Sequence, residues 1–255
     1  MNYFLMLGVA LWAYMTGWFI VSLLKKRNDV ADIAWGIGFV LMAWLSWALS
    51  SVSTQRGLLL GLLIIIWGVR LSAHILRRNR GKAEDYRYQA WRQEWGKWFY
   101  LRSYGQVYLL QGTLLFLIVL PVLLVNKNTN QPLGYLDLLG ALVWLFGFYF
   151  ESVGDKQLGE FIKNPGNKGK LLQTGLWKYT RHPNYFGEVV QWWGVWLIAT
   201  SAPIAWFGII GPLTITFLIL KVSGIPMLEK KMKDNPEFAE YARRTNKFLP
   251  WFQKR

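Results

Sequence analysis

The chain has 255 residues, 53% of them hydrophobic and 17% aromatic, with no Cys and a formal net charge of +15. Without cysteine, disulfides and Cys-ligated metals are excluded, and the two His residues do not make a metal site by themselves. Apolar runs near the roughly 20 residues that cross a bilayer exclude a soluble globular chain.

Seven spans are expected, at 3–24, 30–49, 57–76, 104–125, 135–154, 184–200 and 203–222, the fifth continuing as helix to about Ile162. The first run is long and lacks a basic flank and a small-residue cleavage site, so no cleavable signal peptide is expected. No repeat, low-complexity tract or flexible linker divides the chain, which reads as one all-α polytopic membrane domain over 1–255.

Charge placement orders the spans. Segment 25–29 carries three basic residues, 77–102 eight, 163–181 five with no acid, and 225–255 eight. The alternate connections carry Arg56, Lys127 and none. With seven spans all basic-rich segments share one side, which the positive-inside rule makes cytoplasmic, with the N-terminus outside and the C-terminus inside. The expected location is the bacterial inner membrane. The basic balance then reflects topology and attraction to anionic headgroups, which argues against nucleic acid as a partner. The tail, MLEKKM and PEFAEYARRTNKFLPWF, reads as a short amphipathic helix on the cytoplasmic face.

Ionisable groups within spans are functional candidates by default. Asp29 and Asp32 open the second span, Arg70 and His74 close the third, and Glu151 and Asp155 close the fifth on one helical face. Glu188 lies early in the sixth span and Lys221 ends the seventh. All fall at cytoplasmic ends, as a polar cavity open to the cytoplasm requires. The bland reading pairs Arg70 with Asp32 and Lys221 with Glu151. Asp137 at the outer end needs only a solvated role. Trp91, Trp95 and Trp98 read as an interfacial belt, and Asp85-Tyr86-Arg87-Tyr88 as either belt or cavity mouth.

The densest stretch is TGLWKYTRHPNYFGE at 174–188. Pro183 keeps His182 out of the α region, so a helix is expected to begin at or just after Pro183. Arg181 and His182 then stand at a helix N-terminus, which favours an anion. Asn184, Tyr185 and Glu188 follow at the mouth of an apolar segment, whereas Lys178 alone is an ordinary interfacial anchor.

This stretch with QWWG after it resembles the C-terminal region of the steroid 5-alpha-reductase superfamily, and more closely a bacterial branch of uncharacterised membrane proteins within it. ESVGDKQLGEFIKNPGNKGK, KVSGIP and RRTNKFLPWF look like that branch too, as do DVADIAWGIGF, WGVRLSAHILRRN and DYRY in the N-terminal half. The resemblance implies a membrane enzyme that uses NADPH to reduce a carbon–carbon double bond in a lipid-like substrate. A substrate half at 29–111 and a cofactor half at 151–252 are expected from it. It implies a cofactor site containing Asp155, Tyr179, Asn184 and Glu188, with Lys163 and Lys170 near the phosphates and Lys221 at another basic position. Glu151 stands where the family has an Asn that contacts the cofactor. An acidless basic loop suits a 2′-phosphate, and Arg181, with His182 and Tyr185 beside it, is expected to hold phosphate charge.

Steroid-active members polarise the substrate ketone with a Glu and a Tyr in the N-terminal half. Here His74 stands roughly where that Tyr would be, and Asp32 is the nearest acid, so His74 is expected to donate the proton and Asp32 to orient it. Part of the RHPNY pattern also occurs in isoprenylcysteine carboxyl methyltransferases, which bind S-adenosylmethionine. A membrane methyltransferase and a non-catalytic lipid-binding protein therefore stand as alternatives to the reductase. The expected partners are a lipid-like small molecule and membrane lipids, with no metal and no obligate protein partner.

Overall fold

The computed structural model describes residues 2–50, 54–128 and 132–253. Among them every regular element is helical. The chain resolves into two compact units, Met1–Leu133 with Ala199–Gly211, and Gly134–Ile198 with Pro212–Arg255.

The first unit holds α1 (Tyr3–Lys25), α2 (Val30–Ala48), α3 (Gln55–Asn79), α4 (Tyr86–Trp95), α5 (Phe99–Arg102) and α6 (Leu110–Asn128). A π-helical run, Ser103–Leu109, leads into α6, and a 3₁₀ run, Pro203–Ile209, belongs to the same unit. Asn2 and Thr54 start α1 and α3 by accepting from backbone N–H groups two and three residues on. α2 and α3 cross where Gly36 meets Gly68: a Cβ on Gly36 would lie 2.6 Å from the Gly68 carbonyl. Ser72 Oγ donates across that crossing to the Ile33 carbonyl at 2.9 Å. Such close backbone approach is how helices associate where lipid removes the hydrophobic drive between them. Phe39, Met42, Leu60, Ile64 and Trp67 fill the interior with Leu115 and Ile118 of α6.

The second unit is built on α7 (Tyr135–Lys163) and α8 (Pro183–Ala199). α9 (Ile210–Phe217) continues as a π-helical run, Leu218–Val222, and is followed by α10 (Ile225–Met232) and α11 (Pro236–Arg244). Gly140, Gly147 and Gly154 recur at seven-residue spacing on α7, as do Gly187 and Gly194 on α8. Seven residues are about two turns, so each set lies on one face. The two faces touch backbone to backbone. A Cβ on Gly194 would sit 2.7 Å from the Gly140 carbonyl, and one on Gly187 would run into Glu151 N and the Gly147 carbonyl.

Six helical runs among the described residues are long and apolar enough to cross a membrane. α8, the remaining expected span, has 17 residues. The chain is an all-helical integral membrane protein. Three local expectations change. The seventh span is irregular: a 3₁₀ run, an α-helical stretch and a π-helical run follow one another, and Pro212 supplies no N–H to the ladder. Asp137 is not a solvated interfacial acid: it is 2% exposed and accepts from Gly134 N–H at 2.7 Å, capping α7. Trp95 is buried and stacked on Trp91 at 5.2 Å, which leaves Trp98 as the exposed member of the expected belt.

Gly187→Ala should lower the melting temperature of the detergent-solubilised protein. The forced backbone shift costs about 1–3 kcal/mol and outweighs the helix propensity gained, about 1 kcal/mol. Gly8→Ala, with nothing within 4 Å of the added methyl, should not lower it.

Candidate functional site

α8 begins at Pro183 as expected, and Phe186 N–H bonds the His182 carbonyl at 3.0 Å. The residues just before it are pinned by the tail. Arg181 Nε and Nη2 reach Glu229 Oε1 at 2.9 and 2.8 Å. Its Nη1 donates to the carbonyls of Ala242 at 2.9 Å and Thr245 at 2.7 Å. Those carbonyls end α11, so the guanidinium caps that helix while it neutralises Glu229. His182 is 2% exposed, with Nε2 3.1 Å from the same carboxylate oxygen and its ring stacked on Tyr185. The chain then returns along this segment. Arg181 N–H bonds the Asn246 carbonyl and Trp251 N–H the Tyr179 carbonyl, both at 2.9 Å. Tyr241 donates to the Trp177 carbonyl at 2.6 Å. The tail is thus two short helices and an extended strap that close over the RHPN segment, rather than one surface helix; Lys254 and Arg255 lie outside the described residues.

Burial pushes the His182 imidazole below its ordinary 6.5, outweighing the opposing hydrogen bond and charge of Glu229. The ring is therefore neutral near pH 7, and Nε2–H is the donor to Glu229. Burial alone would raise Glu229, but hydrogen bonds from His182 and Arg181 overcome it and bring the carboxyl to about 2.

On the α7 side Glu151 and Asp155 are both buried. Glu151 accepts from Gln191 Nε2, and Asp155 from Asn184 Nδ2 at 3.1 Å. Asn184 Oδ1 in turn accepts from Tyr185 N–H at 3.0 Å. Trp177 Nε1 donates to the Gly154 carbonyl at 3.2 Å, and Leu176 N–H to Gln157 Oε1 at 3.0 Å, so α7 holds the loop that precedes α8. A cavity of about 200 Å³ lies here, with Lys170, Arg181 and His182 among apolar walls that include Phe161 and Phe238. Glu188 is half-buried on α8. Lys163, Lys170, Tyr179 and Lys221 are exposed.

In the first unit Asp32, expected to face His74 or Arg70, is held by the segment after α3. Tyr88 OH donates to Oδ1 at 2.7 Å and Arg87 Nη2 to Oδ2 at 2.8 Å. Arg87 is fixed in turn by Asp85, whose carboxylate also caps α4 through Arg87 N–H at 3.0 Å. Tyr88 is 2% exposed. His74 is half-buried on the last turns of α3. Sequence reading passes over Glu229, hidden in a lysine-rich tail, and leaves Tyr88 undecided. The signal for Tyr88 is that a buried acid needs a cation and a donor, and DYRY supplies both together.

Residues 18–245 match the family described as protein of unknown function DUF1295. An uncharacterized protein of Schizosaccharomyces pombe is 26% identical over 96% of this chain and 76% of its own length. The 3-oxo-5-alpha-steroid 4-dehydrogenase 1 of Bos taurus is 38% identical over 25% of this chain and 25% of its own. The steroid 5-alpha-reductase DET2 of Gossypium hirsutum is 33% identical over 25% of this chain and 24% of its own. The matched stretch thus spans only about a quarter of these two enzymes. No solved structure matches the chain.

Acid should loosen the tail. Because the His182 pKa falls on folding, the unfolded chain binds more protons below about 6.5. Stability from this group is complete above that pH and declines below it. Glu229 adds a second decline as pH falls from 4.5 toward 2. Melting temperature should therefore drop from about pH 6.5 downward, and His182→Gln should remove the upper part of that drop. Glu229→Ala, which strands Arg181, should cost about 3–5 kcal/mol at neutral pH.

Proposed function

The chain belongs to the DUF1295 family, within the steroid 5-alpha-reductase superfamily, and from that premise we propose that it is a membrane-embedded, NADPH-dependent reductase of an activated carbon–carbon double bond in a lipid-like substrate. The observation that carries this reading is the buried Tyr88–Asp32 pair. It is a phenol and a carboxylate in the N-terminal half, where the steroid-active members of the superfamily use a Tyr and an acid.

The donor set suits the nucleotide. Lys163 and Lys170 are exposed on a basic stretch without an acid, as a 2′-phosphate requires. Asp155, Asn184 and Tyr185 form a fixed polar group on α7 and the start of α8, with Glu151 and Glu188 on the same two helices and Tyr179 and Lys221 as exposed contacts. Arg181 is already committed to Glu229 and two carbonyls, so its role is to hold the loop, and the phosphate charge falls to the lysines. When bound, a reduced nicotinamide supplies the hydride. As the β-carbon is reduced, charge grows on the substrate carbonyl oxygen. Tyr88 is the proposed donor to that oxygen: rotation about its C–O bond would turn its proton away from Asp32. Arg87 keeps Asp32 in place as the proton moves.

With NADPH and a 3-keto-4-ene steroid as probe, Tyr88→Phe should retain nucleotide affinity and lose about 10²- to 10⁴-fold in turnover. His74→Ala should stay within about tenfold of the parent. Loss of turnover in His74→Ala with normal turnover in Tyr88→Phe would return the donor role to His74. Equal affinity of the unmodified chain for NADH and NADPH would remove the 2′-phosphate site, and binding of S-adenosylmethionine alone would favour a methyltransferase. On the proposed topology, a reporter active only in the periplasm should be silent when fused to the C-terminus.

A further inference from the structure

The charges at one end of the first unit are sorted by depth. Arg27, between α1 and α2, donates Nη1 to the Lys82 carbonyl at 3.3 Å, and Asp29 accepts from Asn79 Nδ2 at 3.4 Å. The end of α1 and the end of α3 therefore lie together. Four of the acids here, Asp29, Asp32, Glu84 and Asp85, face inward against an arginine, and Glu94 on α4 is exposed. Asp29 pairs with Arg27 at 2.6 Å, Asp32 and Asp85 with Arg87 at 2.8 and 2.9 Å, and Glu84 with Arg92 at 3.1 Å. Of the basic residues left over, Lys25, Lys26, Arg77, Arg78, Arg80 and Lys82, at the ends of α1 and α3, are all exposed. Among the described residues none of them forms an ion pair, and Arg78 alone has a side-chain hydrogen bond, to Asn79.

Their depth follows from helix length. The apolar run 57–76 is about 30 Å long at 1.5 Å per residue, about one hydrocarbon thickness. Arg77 thus stands at the hydrocarbon edge, and the next basic residues at headgroup level. Arg92, bonded to Glu84, lies 4.0 Å over the Phe99 ring, which brings the exposed Trp98 and Tyr100 to the same end. Aromatic rings of this kind sit at the membrane interface. Lys26 adds an independent sign. It ends α1 in the left-handed region, φ 53°, where glycine is the strain-free choice. The chain keeps a charge there at a local cost.

We propose that this cationic end is a binding surface for anionic phospholipid headgroups. Each basic residue near a negative headgroup layer contributes on the order of fivefold in affinity, and among the described residues none of these six is held in an ion pair.

The test uses the full chain in nanodiscs of equimolar phosphatidylglycerol and phosphatidylcholine, with retained lipid read by native mass spectrometry. The unmodified protein should retain phosphatidylglycerol at least fivefold over phosphatidylcholine, and less so in 1 M salt, where screening shortens to about 3 Å. Lys25→Gln/Lys26→Gly/Arg77→Gln/Arg80→Gln should lose most of that preference. Lys230→Gln/Lys233→Gln/Arg243→Gln/Arg244→Gln removes the same charge elsewhere and should keep the preference. If the first combination does not fold, Lys26→Gly alone serves. It should lose several-fold in preference with the melting temperature unchanged or raised, because glycine relieves the strain. Parity in the unmodified protein, a preference undiminished in the first set, or equal loss in both sets would overturn the proposal.

Discussion

A carboxylate set against an apolar bundle must have its charge met on the spot, since an unpaired one costs several kcal/mol. Glu229 is met by Arg181 and His182, neighbours in sequence that approach the same oxygen. The guanidinium has donors to spare and uses them on the last carbonyls of α11. One ion pair therefore fixes where the tail folds back, how its second helix ends and how the chain enters α8. Pro183 does the rest by making continuation of a helix through His182 unfavourable.

The RHPNY motif thus divides into two jobs. Arg181 and His182 face the tail and are spent on structure. Asn184, in the first turn of α8, donates to Asp155 on α7 and accepts the Tyr185 N–H, while the Tyr185 ring stacks on His182. The glycines make this possible. With side chains at Gly147 and Gly187 the helices would stand further apart, and Gln191 would no longer reach Glu151. Small residues and polar pairs alternate along the α7–α8 contact because lipid offers neither helix a hydrophobic reason to leave it.

The membrane helices are legible in the sequence because length and apolarity suffice. The expected 57–76 becomes α3, Gln55–Asn79, and the expected 135–162 becomes α7, Tyr135–Lys163. The start of α8 is legible for a local reason, the proline. The tail is not, because its pattern of lysines around one glutamate reads as a solvated face. What buries Glu229 is a partner 47 and 48 residues away, and periodicity carries no information at that range. The same holds for Asp137, whose capping role depends on a turn and not on hydropathy.

Asp32 shows the limit most clearly. Charge pattern alone offers it Arg70 or His74, both near the end of the neighbouring span. The structure gives it Arg87 and Tyr88, 55 and 56 residues on, in a loop that reads equally well as an interfacial belt. Geometry decides. Asp85 starts α4 by accepting the Arg87 N–H and also bonds the Arg87 side chain, so the guanidinium is aimed before it meets Asp32. Asp29 accepts the Asp85 N–H at 3.3 Å, and Glu84 takes Arg92 and the Asn28 N–H, so the loop is tied to the start of α2 at two further points. A phenol in the first turn of a helix so constrained has little orientational freedom left to lose.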